Sequence, residues 1–445
     1  MTVSSSNTSS PSAGPSPKGG LRQITRALRH RNYQLFFFGQ GASMIGTWVQ
    51  RIALSWLVYR LTGSALLLGV VGFSSQILTF LGAPLAGVLA DRLDRRPLLV
   101  ATQALAMTQA FLLAILTLTG TVAVWHIIVL GLLLGLVNAF DIPIRQSFVV
   151  EMLESREDLP NAIALNSFLV NGARLVGPAM AGVVIAWVGE GTCFLINGLS
   201  FLAVIAALLM MKVAPHPRPA HKGNMLADLK EGVAYVYHFA PIRSILLLLA
   251  IISLMGMPYT VLMPIFAKEV LQGDAGTLGV LMGATGVGAI MGALFLASRP
   301  SIRGLGRLIA IAAGLFGAGL IAFSFSHVLW LSLALLVIVG FGGMVQMASS
   351  NTLIQTVVDD DKRGRVMSLY TMSFMGMGPF GALLAGWLAS WLGAPGALVL
   401  GGAGCILAAG IFASQWPQMR RVLHPVYVRL QIIPAPSPLP SEQAL

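Results

Sequence analysis

The sequence predicts an all-α membrane protein with about twelve spanning helices arranged as two six-helix halves. Three observations carry this. Of 445 residues, 56% are hydrophobic and 10% are charged, whereas a soluble domain carries roughly 25% charged residues. So few charges cannot cover a water-facing surface. The apolar residues also fall into repeated runs, each long enough to cross the ~30 Å hydrocarbon layer. Finally, 49 glycines and 20 methionines suit helices packed closely in lipid, where small residues let backbones approach.

Taken in order, residues 1–31 read as a disordered, basic cytoplasmic tail, rich in Ser, Pro and Gly. No apolar run begins before Leu35, so this start is not read as a signal peptide. The N-terminal half, 32–211, holds apolar runs at 33–59, 65–90, 97–119, 124–144, 161–188 and 191–211. A central cytoplasmic loop, 212–241, follows. Within it Leu226, Leu229, Val233 and Tyr237 recur at helical spacing between charged residues, which predicts a helix lying on the membrane surface. The C-terminal half, 242–416, repeats the pattern at 242–266, 277–298, 304–325, 328–350, 366–391 and 394–416. Residues 417–445 read as a second cytoplasmic tail, rich in Pro.

Lys and Arg concentrate on the cytoplasmic side of membrane proteins. With both termini cytoplasmic, that side takes nearly all the basic loop residues, among them Arg92, Arg95, Arg96, Arg145, Arg299, Arg303, Arg307, Lys362, Arg363 and Arg365. The opposite side takes only Arg60 and Lys268. A weak internal repeat supports two halves: RLVGPAMAG from Arg174 and GMGPFGA from Gly376 put Gly-Pro pairs at 177–178 and 378–379, in the fifth helix of each half.

Composition also narrows function. The formal net charge of +12 would suit nucleic acid only if the basic residues shared one soluble face. They are scattered through short loops instead, and no nucleic-acid partner is expected. Cys193 and Cys405 sit far apart within apolar runs and read as packing residues. No Lys is followed by Ser or Thr, so the phosphate-binding loop of an ATP-driven pump is missing from the sequence. The acidic run Asp359, Asp360, Asp361 lies beside Lys362, Arg363 and Arg365 and reads as a solvated loop, not as the acids of a membrane enzyme. No cofactor or metal is expected, and the reading is not that of an enzyme. His126 and His327 are placed at the membrane interface. Gly131 with Gly135, Gly279 with Gly283, and Gly288 with Gly292 read as helix-packing motifs.

At the inner end of the second helix the chain reads GVLADRLDRR from Gly87 to Arg96. Asp91 can accept hydrogen bonds from a neighbouring helix N-terminus, Pro97 suits the first turn of a helix, and the turn can lock and unlock a gate. Here the sequence resembles the loop motif of the major facilitator superfamily. The counterpart SRPSIRGLGR from Ser298 keeps the basic residues but has no acid. GTWVQRIALSWLVYRLTGSALLLG from Gly46, NAFDIPIRQ from Asn138, LPNAIALNSFLVNGARLVGPAMAG from Leu159 and RGRVMSLY from Arg363 are similar to the bacterial branch containing the enterobactin exporter and related drug-efflux permeases. That resemblance implies the major facilitator fold in a bacterial inner membrane, and export of siderophore-like or drug-like molecules by alternating access with proton antiport. Protons, a small-molecule substrate and the bilayer are then the partners, and a monomer is the expected state. An uptake permease of the same fold, a non-transporting receptor and a membrane-embedded enzyme are the alternatives.

The candidate site residues come from polar stripes at helical spacing. Gln40, Ser43, Thr47 and Arg51 share a face of the first helix, Asn138, Asp141 and Arg145 of the fourth, and Ser167, Asn171 and Arg174 of the fifth. A stripe of this kind faces protein or water, and charged side chains within spans are functional by default. Gln40, Thr47, Arg51, Asn138, Asp141, Asn171 and Arg174 are therefore expected to line a translocation cavity. Asp91, Arg92, Arg95, Arg96 and Asp141 are expected to form a gate network, with Arg92 or Arg95 reaching Asp141. Arg51 and Arg174 lie at similar depth with no acid opposite them in this half, so either an anionic or strongly polar substrate group is expected between them, or backbone carbonyls and the Asn and Gln residues satisfy each guanidinium separately. Methionines at 255, 257, 263, 372, 375 and 377 either face varied apolar ligands or fill the core.

Overall fold

The computed structural model describes residues 26–92, 94–153, 155–212, 225–299, 301–359 and 361–429, and excludes the side chains of 83–92, 156 and 225–229. The N-terminal half comprises α1 (Arg31–Thr62), α2 (Ala65–Arg92), α3 (Arg95–Leu118), α4 (Val124–Phe148), α5 (Leu159–Val188) and α6 (Glu190–Met210). Helix α7 (Met225–His238) follows, where the amphipathic spacing predicts it. The second half comprises α8 (Ala240–Val270), α9 (Ala275–Ala297), α10 (Leu305–Ser324), α11 (Leu329–Val357), α12 (363–392) and α13 (394–429).

Ten described helices are long and apolar enough to cross a membrane. One of them, Arg363–Arg429, is 67 residues long and turns back at Gly393, so it makes two crossings. With α1, 32 residues long, the count agrees with about twelve. The halves repeat each other at a level the sequence motif only hints at. Gly189 (φ 81°) ends α5 directly before α6, and Gly393 (φ 73°) separates α12 from α13 in the same way. Both positions are left-handed, where a side chain is strained, and both join the fifth helix of a half to the sixth. Pro178 and Pro379 sit inside those same fifth helices.

The first residues of the expected 417–445 tail are helical. Helix α13 stays helical to Arg429, and the Arg429 guanidinium pairs with Asp359 at 2.8 Å. Beyond 416 the helix lacks the apolar content of a span, so the run alone could not show it. At the other terminus Arg26–Arg29 forms a short 3-10 turn. Arg26 and His30 fasten it to Asp158 at the start of α5, at 2.6 and 2.7 Å.

Among the described residues, two glycine-lined seams run between the halves, α5 against α9 and α2 against α12, each pairing the fifth helix of one half with the second of the other. Each is glycine on glycine. A Cβ on Gly182 would meet Gly279 Cα at 3.2 Å, and one on Gly69 would meet Gly386 Cα at 3.0 Å. Both contacts lie toward the bundle end opposite the termini. The expected packing motifs also operate inside each half: Gly131 and Gly135 pack α4 onto Ser75 of α2, while Gly288 and Gly292 pack α9 onto α11. Helix α8 contains widened π turns at Ile252–Gly256 and Phe266–Val270, and α12 has one at Met372–Gly376. The Ser253 hydroxyl of α8 donates to the Phe374 carbonyl, tying two of these turns together.

Candidate functional site

The interface between the halves contains a narrow, nearly closed pocket, to which Arg174 of α5 contributes from the first half. Met257 and Tyr259 of α8, Phe316 of α10, and Met344 and Met347 of α11 close it from the second half. Its back wall is thin because Gly340 lets α11 approach α9: a Cβ there would lie 2.0 Å from the Thr285 carbonyl oxygen. Tyr259 lies beside Thr285 and within electrostatic reach of Arg174.

Arg51 of α1 belongs to the same region. Its guanidinium lies 4.8 Å from the Trp48 ring centroid, and Arg51 and Arg174 act on each other electrostatically. Trp48 is itself wedged against α5, since a Cβ on Gly177 would lie 2.4 Å from the Trp48 Cβ. Among the described residues neither arginine forms an ion pair with a carboxylate. A guanidinium stacked on an aromatic face keeps most of its five N–H donors free for a planar anion.

The remaining sequence-predicted residues separate into groups. Thr47 is exposed, Asn138 is half-buried, and Gln40 is buried with its Oε1 unpartnered. Asn171 bonds back to Ser167 O on its own helix at 2.8 Å. Asp141 is enclosed between α4 and α3. It is 4% exposed, accepts from Thr102 at 3.1 Å and Gln103 at 2.7 Å on α3, and pairs with Arg145 at 3.2 Å one turn away. Helical spacing shows that residues share a face but not which neighbour the face meets, and here that neighbour is α3. Arg95 pairs with Glu151 at 2.5 Å, while Arg96 donates to the Leu208 and Leu209 carbonyls at 2.7 Å, closing the C-terminus of α6. The side chains of Asp91 and Arg92 lie outside the described residues. Of the methionine cluster, Met257 reaches the pocket, Met263 is fully buried, and Met372 and Met375 are exposed.

Several polar residues were not singled out from the sequence. Asn197 of α6 donates to Gln50 of α1 at 2.8 Å, and Gln50 donates to Gln109 of α3 at 3.0 Å, all three buried. Neutral amides carry no charge signal in an apolar run, so only the fold reveals their pairing. At the bundle end opposite the termini, Arg60 pairs with Glu190 at 2.7 Å. There the Tyr59 hydroxyl donates to Glu269 across the two halves, with Lys268 Nζ 5.6 Å from the Tyr59 ring centroid. Near the termini, by contrast, Asn351, Thr352, Gln355, Thr356 and Arg363 line an open polar recess at the ends of α11 and α12.

Two packed six-helix halves with a charged pocket between them define a polytopic membrane transporter of the major facilitator fold. The structure superposes on a bacterial homologue of the human lysosomal transporter Spinster in its inward-facing, unoccupied conformation, with a TM-score of 0.65 and 14% identity over 94% of this chain and 100% of that one. It also superposes on a bacterial homologue of the iron transporter ferroportin, with a TM-score of 0.64 and 17% identity over 86% of this chain and 98% of that one. Residues 25–425 match the family described as transmembrane secretion effector, and the chain belongs to that family of the major facilitator superfamily. Among its relatives, the staphyloferrin A transporter of Staphylococcus aureus is 28% identical over 78% of this chain and 87% of its own length. The multidrug efflux pump Tap of Mycolicibacterium fortuitum is 26% identical over 81% of this chain and 89% of its own length.

Proposed function

We propose that this transporter exports small organic anions from a bacterial cytoplasm by alternating access, with both termini cytoplasmic and protons moving inward in exchange. The observation that carries the reading is the pair Arg51 and Arg174, two cations without a carboxylate partner among the described residues, at the interface of the halves. An unpaired charge in a membrane interior is costly and marks a substrate path. Two like charges in one cavity favour an anion between them, and the planar guanidinium suits a carboxylate held by two hydrogen bonds. The glycine seams and the Tyr59–Glu269 bond close the end opposite the termini, while the polar recess near Arg363 opens at the other. In this reading the state is inward-facing and ready to load from the cytoplasm. Relatives named as a siderophore transporter and a multidrug efflux pump support export. The sequence's Asp91, Arg92, Arg95 and Arg96 turn is the proposed inner gate, with Glu151 as the acid that Arg95 meets.

Inverted membrane vesicles holding the full chain test the proposal with a panel of radiolabelled carboxylates and matched neutral molecules. Accumulation of carboxylates inside vesicles energised with a proton gradient, stopped by an uncoupler, is the expected result. Accumulation only in right-side-out vesicles assigns uptake instead, and equal transport with and without the gradient removes the proton.

A further inference from the structure

The proposed site has two chemically different walls. The first half supplies charge, through Arg174 and the neighbouring Arg51. The second half supplies Met257, Met344, Met347 and Phe316, with the Tyr259 hydroxyl the one polar side-chain group among these. The methionines do not fill the core in the ordinary way: each is only partly buried, whereas Phe316 behind them is 2% exposed. Gly343 adds to the opening, since a Cβ there would lie 3.3 Å from the Phe316 ring and 4.0 Å from the Met257 methyl. Thioethers are polarizable and flexible, and they adapt to apolar and aromatic surfaces of varied shape.

We infer that the transporter takes amphiphilic anions, molecules with a carboxylate at one end and an apolar or aromatic body at the other, docked with the head on the arginines and the body on the methionine wall. This deepens the proposed function and rests on its arginine assignment. An anion without a body leaves the thioether wall against water, and a body without a charge leaves two guanidiniums facing each other, so both ends are needed for tight binding.

Calorimetry on the full chain in lipid nanodiscs tests this with three probes: 2-naphthoate, which has both ends, propionate, which has the head alone, and 2-naphthylmethanol, which has the body alone. Titration into empty nanodiscs is subtracted. The expected result is 2-naphthoate binding at least about tenfold tighter than either other probe, tenfold being the low end of what one apolar group is worth in such a pocket. Met344→Gln and Met347→Gln, close in shape but polar, should weaken 2-naphthoate by a similar factor and leave propionate unchanged, and Met→Leu at both positions should restore binding. Arg174→Gln should weaken both anions. Equal affinity for 2-naphthoate and propionate, both lost in Arg174→Gln, overturns the two-walled site and leaves the arginine reading standing. Equal affinity for 2-naphthoate and 2-naphthylmethanol, untouched by Arg174→Gln, overturns both. Absence of 2-naphthoate binding to the wild-type chain also overturns the proposal.

Discussion

Replacing Gly386 with Val should open the end of the bundle opposite the termini. The added Cβ would stand 2.7 Å from the Ala65 carbonyl oxygen and 2.8 Å from Gly69 Cα, both backbone atoms that no rotamer change can move. Ordinary contact begins at 3.4 Å, so α2 and α12 must separate by about 0.7 Å wherever this seam is closed. Overpacking of this kind costs about 1–3 kcal/mol, and the cost falls only on the state in which the seam is shut. A differential of that size shifts a two-state equilibrium about 5- to 150-fold. Spin labels at Thr121→Cys, between α3 and α4, and His327→Cys, between α10 and α11, report the opening, since both positions are exposed and lie on different halves. Cys193 and Cys405 are 0% exposed and should stay unlabelled. Pulsed electron–electron distance measurement should show a longer population in Gly386→Val than in the parent. An unchanged distance distribution in a variant that elutes and melts like the parent would refute the assignment of this seam as a closed gate.

Other outcomes follow from the same structure. Tyr59→Phe removes the hydroxyl bonded to Glu269 and should lengthen the same label distance, though less than Gly386→Val does. Asp141→Asn leaves Arg145 without its charge partner beside α3 and should cost about 1–3 kcal/mol, seen as a lower melting temperature in detergent with little change in substrate preference. Glu231→Gln breaks the pair with Arg365, whose side chains are 57% and 30% exposed; it should cost less than about 1 kcal/mol and leave melting nearly unchanged. Asp91→Asn should abolish transport while folded protein remains in the membrane, and full activity in this variant sinks the proposed inner gate.

The spans were legible because a bilayer demands long apolar runs and nothing else in the chain imitates them. The helix α7 was legible too, from the spacing of Leu226, Leu229, Val233 and Tyr237. Arg51 and Arg174 stand out in the sequence because a charge inside a span is costly. Pairings between helices were not. Nothing in the order of residues shows that Asp141 turns to Gln103, or that Arg95 pairs with Glu151. Met344 and Met347 were passed over because single methionines in an apolar helix look like filling until the opposing wall is known. Glu269 sits near the end of a run, where an acid reads as a loop residue, and only the fold puts Tyr59 against it.

The buried amide chain from Asn197 through Gln50 to Gln109 has a consequence for how Arg51 is aimed. In water a helix is oriented about its own axis by its apolar stripe, but α1 carries buried and exposed residues on every side and lies among lipid tails as apolar as its neighbours. Hydrophobicity alone therefore gives it no preferred angle of roll. Gln50 bonds to α3 and α6 at once, and it works as a key in a slot, stopping α1 from spinning. Arg51 follows Gln50 and points about 100° away around the helix, the angle between successive residues at 3.6 per turn. Where the guanidinium points is thus set from behind, by three uncharged amides. Loss of any one of them would leave a folded protein whose cation is present but no longer steadily aimed.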